Sequence, residues 1–189
     1  MSSSLLDYIL RIRLPIVIFV AIASFAFTYF VSRPERDGIG YQPDQPITYS
    51  HKLHAGTMKI DCKYCHTGVE TSRHAMVPPL STCMNCHTIA RKDRPDIIKL
   101  TEYYNEGKAF PWKRIHRVAD FAYFNHSVHV NRGIDCAVCH GEVEKMDKVL
   151  QVNSFTMGAC FDCHRNPQKY VMNVNQINNG PTNCFACHR

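Results

Sequence analysis

All ten cysteines of the chain fall into five copies of one pattern. These are Cys62-Lys-Tyr-Cys65-His66, Cys83-Met-Asn-Cys86-His87, Cys136-Ala-Val-Cys139-His140, Cys160-Phe-Asp-Cys163-His164 and Cys184-Phe-Ala-Cys187-His188. Two thiols three residues apart, followed at once by an imidazole, are what covalent haem attachment requires. The thiols form thioethers with the two vinyl groups of one porphyrin, and the histidine reaches its iron. Structural zinc sites, redox dithiols and disulfides also use C-x-x-C pairs. None of them calls for a histidine after every second cysteine, and here every copy has one. The spacing therefore predicts five haem c groups with His66, His87, His140, His164 and His188 as proximal ligands.

Eleven histidines less those five leave His51, His54, His74, His116, His126 and His129. That supply nearly matches bis-histidine, low-spin iron at every haem, which suits electron transfer because no coordination position stays open for a substrate. His51 with His54, and His126 with His129, form two H-x-x-H pairs just upstream of a motif. On a helical turn such residues share a face, so one can cap the nearby haem while the other reaches its neighbour. The fifth distal ligand is open between Met146, His116 and His74, with Met146 preferred. A thioether there would raise one haem's potential above the others and give the relay a direction. Met76 and Met157 are read as packing residues.

The elements that must position these groups are visible as an internal repeat. Tyr49-Ser-His51-Lys-Leu-His54 leads through Ile60-Asp61 to Cys62, and Phe124-Asn-His126-Ser-Val-His129 leads through Ile134-Asp135 to Cys136. After the motif, Gly68-Val69-Glu70 answers Glu142-Val143-Glu144, and a second haem motif follows in each copy. Residues 49–87 and 124–164 are thus two dihaem modules of one design. The fifth motif, 184–188, stands outside the repeat and caps one end of the haem row. Between the modules a spacer helix is expected, with Pro95 near its start, Ile97, Ile98, Leu100, Tyr103 and Tyr104 within it, and Gly107 as its stop. Elsewhere Gly, Pro and Asn are scattered, as from Asn173 to Pro181, and irregular loops are expected. The fold class that follows is mostly irregular with short α-helices, a duplicated dihaem cytochrome in the manner of class III, with the haems serving as its core.

Leu14 to Val31 forms an uncharged stretch of 18 residues, enough for a membrane span at the short end. Arg11 and Arg13 precede it, while Arg33 and Arg36 beyond it alternate with Glu35 and Asp37. The positive-inside bias then gives a cytoplasmic start at 1–13, a signal anchor at 14–31 and an exported haem domain at 32–189 on the periplasmic side of a bacterial inner membrane. Cleavage after Ala21-Ile-Ala23 would leave an apolar stub, which disfavours a removed signal peptide. The formal charge of +6 does not argue for nucleic acid. Two propionates per haem supply roughly ten negative charges, so the Lys and Arg excess reads as propionate partners.

The run from Pro111 through His116, Phe121, His126 and His129, with Cys136-Ala-Val-Cys139-His140-Gly and Thr156-Met-Gly-Ala-Cys160-Phe-Asp-Cys163-His164-Arg-Asn-Pro167, resembles the pentahaem, singly anchored cytochrome c subunits of alternative complex III. The resemblance spans residues 43–188 and the anchor. It implies a subunit, not itself catalytic, that relays quinol-derived electrons beside an iron–sulfur protein and polytopic membrane subunits. The electrons would pass toward a monohaem cytochrome or a terminal oxidase. It further implies that His74, often apolar in that family, is not an essential ligand, and that His116 stays a candidate. Two other expectations compete: an anchored quinol dehydrogenase feeding a periplasmic nitrate or nitrite reductase, and a multihaem reductase. The second needs an open iron, and no motif here departs from C-x-x-C-H.

Overall fold

The computed structural model describes the backbone of residues 3–171 and 178–189, with side chains from residue 5 onward except at 33–37. Most of the irregular run expected from Asn173 to Pro181, and the side chains of Arg33, Glu35, Arg36 and Asp37, lie outside the described residues. The chain divides into two units, Met1–Gly38 and Ile39–Arg189.

The first unit is helical: α1 (Ser3–Tyr8), a π-helical turn (Ile9–Arg13) and α2 (Leu14–Asp37). Within Leu5–Ser32 an 18-residue window reaches a mean hydropathy of 2.3, with none of its residues buried in protein. At 1.5 Å per residue the 28 residues of Leu5–Ser32 extend about 42 Å, more than the roughly 30 Å of a hydrocarbon core. The helix is therefore long and apolar enough to cross a membrane. It reaches further toward the N-terminus than the uncharged stretch from Leu14, because Leu5, Leu6, Ile9 and Leu10 continue the apolar surface. The charges there are partly neutralised, with Arg11 Nε 2.6 Å from Asp7 Oδ1 one helical turn away. Within α2 the Thr28 hydroxyl donates to the Ser24 carbonyl at 2.8 Å, so it carries no unsatisfied group into an apolar medium.

The second unit contains no strand among the described residues. Its α-helices are α3 (Cys62–Cys65), α4 (Leu80–His87), α5 (Pro95–Asn105), α6 (His126–Val130), α7 (Cys136–His140), α8 (Met157–Arg165) and α9 (Cys184–Cys187), with a π-helical turn at Lys52–Thr57 and 3-10 turns at Val143–Lys145 and Pro167–Lys169. Each C-x-x-C-H motif is thus one helical turn, which sets its two thiols on one face. Such short helices depend on their caps. Asp61 accepts from Lys63 N at 2.7 Å, Asp135 from Ala137 N at 2.7 Å and Asn183 from Ala186 N at 3.0 Å. In each of these three the capping residue immediately precedes the first cysteine.

The spacer helix α5 runs as expected, starting on Pro95 and stopping before Gly107, which takes φ +63. Its Leu100, 2% exposed, joins Ile47, Met84 and Phe110 in an apolar cluster, with Leu80, Cys83, Tyr103 and Trp112 packed around it. Met84 lies inside the second motif, so this cluster seats that motif directly. Beyond it, the buried apolar side chains among the described residues are Val69, Val149, Val171 and Pro167, and none of the described side chains is less than 2% exposed. An interior this sparse cannot offset the entropy of ordering the unit by itself.

The two modules of the repeat are equivalent in detail. Tyr49 stacks on His54 at 4.6 Å and 22°, and Phe124 stacks on His129 at 4.5 Å and 26°. The same rings meet His51 and His126 edge-on, both at 4.8 Å. Where the modules touch, they exchange equivalent bonds. Lys52 N donates to the Met146 carbonyl at 3.0 Å, and Ser127 N donates to the Ser72 carbonyl at 3.2 Å. Gly56 abuts the Glu144 carbonyl, while Asn131, its counterpart, donates to the Glu70 carbonyl at 3.0 Å. The contact is a local pseudo-twofold, in which each H-x-x-H turn rests on the loop that follows the other module's first motif.

Candidate haem-binding site

Seven histidine rings are held by the same device. Nδ1–H donates to a backbone carbonyl in His66 (Met76, 2.7 Å), His87 (Ala90, 2.9 Å), His164 (Pro181, 2.7 Å) and His188 (Phe121, 3.0 Å). It does so too in His54 (Ser50, 2.9 Å), His126 (Arg73, 2.9 Å) and His129 (Asn125, 2.7 Å). A carbonyl can only accept, so Nδ1 carries the proton in each ring and Nε2 keeps its lone pair. That tautomer and that outer partner are what iron-ligating imidazoles need. Four of the rings are motif histidines and three belong to the H-x-x-H pairs. Backbone is bent to serve this: Met76 takes φ +64, a conformation rare for a side chain of its size, and its carbonyl meets His66.

Distances sort the rings into pairs. Two imidazoles bound through Nε2 on opposite sides of one metal, at about 2 Å each, have centroids about 6.3 Å apart. His54 and His87 stand at 6.3 Å, His129 and His164 at 6.2 Å, and His126 and His140 at 6.4 Å. The first two pairs occupy the same place in the two modules. By the repeat, His51 corresponds to His126 and falls to His66, which is among its electrostatic neighbours.

Electrostatics agree with ligation. Burial, reinforced by His66, His54 and His116, drops His51 to about 4. Burial with His116, His126 and His66 as neighbours drops His140 to about 4. Burial also lowers His116 and His129. Burial thus favours the neutral form of these rings, the form that metal ligation requires. Two buried ring atoms, His51 Nδ1 and His116 Nε2, have no hydrogen-bond partner from the protein. An orphaned buried donor or acceptor calls for a further group, and a haem with its propionates supplies one. The cysteines are free thiols, none in a disulfide, and several are partly buried beside thiols of other motifs. Donor set, tautomers, ring spacing and sparse interior all fit c-type haem.

The candidates for a fifth distal ligand differ in their surroundings. His116 packs edge-to-face on His140 at 4.4 Å, with Phe155 against both rings. Met146 is half-buried, and its backbone carbonyl serves Lys52. His74 is exposed. The ring packed on His188 is Phe121, at 5.8 Å and 26°. Sequence reasoning did not find the residues that orient the imidazoles, since a backbone carbonyl carries no residue-type signal. Gly180 could have been flagged: a Cβ there would lie 2.5 Å from Cγ of His164, so only glycine lets the chain pass that ring.

Comparison with known proteins places the same residues in a family context. Residues 122–189, which hold the second module and the fifth motif, match the family of cytochrome c7 and related cytochrome c. The chain is also 27% identical over 169 residues, covering 78% of each protein, to the multihaem cytochrome c subunit of menaquinone reductase from Nitratidesulfovibrio vulgaris strain Hildenborough. Motifs, ring geometry and both likenesses make the part of the chain beyond the apolar helix a helical, irregular multihaem cytochrome c domain that carries c-type haems.

Proposed function

We propose that the chain is the electron-transfer subunit of a membrane respiratory complex, passing quinol-derived electrons through five c-type haems. The observation that carries this is the set of imidazole pairs at the spacing of one shared iron. Haem iron so ligated cycles between ferric and ferrous by one electron, without making or breaking a bond. The protein's part is to keep each Nε2 unprotonated and each ring fixed, so that neither ligand is lost on reduction. We assign His54 to the haem of His87, His129 to that of His164, His126 to that of His140 and His51 to that of His66. Met146, His116 and His74 stay the candidates for the fifth distal ligand. A near-infrared thioether band in magnetic circular dichroism identifies Met146, and its absence excludes it.

The complex is of the alternative complex III type in this reading. An iron–sulfur protein and polytopic membrane subunits are its companions, a monohaem cytochrome or terminal oxidase is its acceptor, and the haem domain lies on the periplasmic side. The resemblance along residues 43–188 supports this. The likeness to a menaquinone reductase subunit favours a second direction, with electrons flowing toward the quinone. Purification in mild detergent decides the first point: iron–sulfur and polytopic subunits should co-elute, and a chain that elutes alone overturns the complex. Mixing the complex with quinol and with quinone, while following haem absorbance, then fixes the direction. Protease added to intact spheroplasts should digest the haem domain, and protection there would reverse the topology.

A further inference from the structure

Neighbouring motifs can be traced through the fold by contacts between them. The first and second are joined by Tyr64 and Asn85, a residue between the cysteines of each, with Asn85 Nδ2 donating to Tyr64 Oη at 3.0 Å. Cys65 and Cys83 lie together around Tyr49. The first and third meet across the pseudo-twofold, where Cys62 is an electrostatic neighbour of Cys136, and Lys63, between the first motif's cysteines, is near Cys136 as well. The third and fourth are joined by Asn153, whose amide donates to the carbonyls of Val138 and Cys139 at 3.1 and 3.0 Å, and Cys139 neighbours Cys160 and Cys163. The fourth and fifth are linked by Gly180 N, 2.8 Å from the His164 carbonyl, and by Cys160 beside Cys187. The pair Cys65–Cys83 is the repeat's image of Cys139–Cys160, so the local symmetry and the contacts agree.

We propose that the five attachment sites stand in space in the order second, first, third, fourth, fifth, so that the motif of His87 and the motif of His188 are the two ends of the row. The proposal rests on the reading of all five motifs as haem sites. The order differs from that along the chain because a pseudo-twofold brings equivalent elements together, and here the equivalent elements are each module's first motif. The fifth motif then extends one end of an otherwise symmetric set of four. With haem bound, each step along the row would oxidise one ferrous iron and reduce one ferric neighbour by a single electron.

Iron positions in the haem-loaded full chain in detergent, located by anomalous diffraction at the iron edge or by cryo-electron microscopy, test the order directly. The haems on Cys62 and Cys136 should be nearest neighbours between modules. A closer approach between modules of either other haem, or a fifth haem beside that of His87, overturns the proposal. Electron paramagnetic resonance gives a second check on variants. Cys184→Ser with Cys187→Ser should alter the ferric signal of one remaining haem, and Cys136→Ser with Cys139→Ser should alter two. The reverse pattern refutes the row. Neither readout needs a partner protein, so failure to isolate a complex would overturn the functional reading and leave the order standing.

Discussion

An imidazole becomes a reliable iron ligand when its other nitrogen is tied down, and this chain ties seven of them to backbone carbonyls. Replacing a paired distal ring should therefore have a local effect. His54→Ala or His129→Ala is expected to convert one haem to high spin, seen as a new high-spin ferric resonance, while the other haems keep their low-spin signals. His74→Ala, at an exposed position, should leave the spectrum unchanged, and a new high-spin signal there would identify His74 as the fifth distal ligand. Gly180→Ala drives a methyl into the His164 ring, and overpacking of this kind costs about 1–3 kcal/mol. Thermal unfolding should show the loss together with a perturbed fourth haem. Gly158→Ala, where the added carbon meets nothing within 4 Å, serves as the control. At this scale the cysteines, the motif histidines and both H-x-x-H pairs were legible in the sequence, because residue type and spacing encode them. The fifth distal ligand was not, since three candidates satisfy the count and only spatial placement separates them. The orienting carbonyls of Ser50, Arg73, Met76 and Pro181 were invisible for the same reason.

Elements here are short, and their stability is borrowed from contacts distant in sequence. The repeat foretold two like modules, and Asp61 and Asp135 announced their capped motif turns. It did not foretell that each H-x-x-H turn rests on the other module, because backbone-to-backbone bonds such as Lys52 to Met146 leave no mark in the residues. The first H-x-x-H turn is itself part of a π-helical turn, Lys52–Thr57 with His51 as its cap, where simple spacing suggests an ordinary helical one. Gly56→Ala, which thrusts a carbon at the Glu144 carbonyl, should weaken the joint between modules by about 1–3 kcal/mol. Asn131→Ala, losing the bond to Glu70, should cost about 1 kcal/mol. Denaturant unfolding of the haem-loaded protein checks both, and the two losses should fall short of additivity because the residues occupy equivalent places in one contact. Leu100→Ala, in the apolar cluster that seats the second motif, is expected to lose about 2–5 kcal/mol.

For the domain as a whole, the interior is a handful of apolar side chains, with the motif thiols exposed or half-buried around it. Few apolar residues are buried, and many backbone groups are satisfied in turns and loops instead of ladders. Produced without haem attachment, the domain should lack cooperative thermal unfolding and lose most of its helical circular dichroism. A native-like melt under those conditions would show that the polypeptide alone suffices. The separate apolar helix should fold regardless, because its hydrogen bonds lie within it, so the residual helical signal should match its length.

The exchange of bonds between the modules bears on how the protein is made. Residues 49–87 leave the ribosome before residues 143–147 exist, yet the turn carrying His51 and His54 has its resting place on those later residues. Haem attachment to Cys62, Cys65, Cys83 and Cys86 needs only the local motif and can proceed on an unsettled chain. Locking of the distal rings must wait for the second half. The maturation enzymes therefore meet a pliable first module, and the finished geometry sets in only when both halves have been loaded.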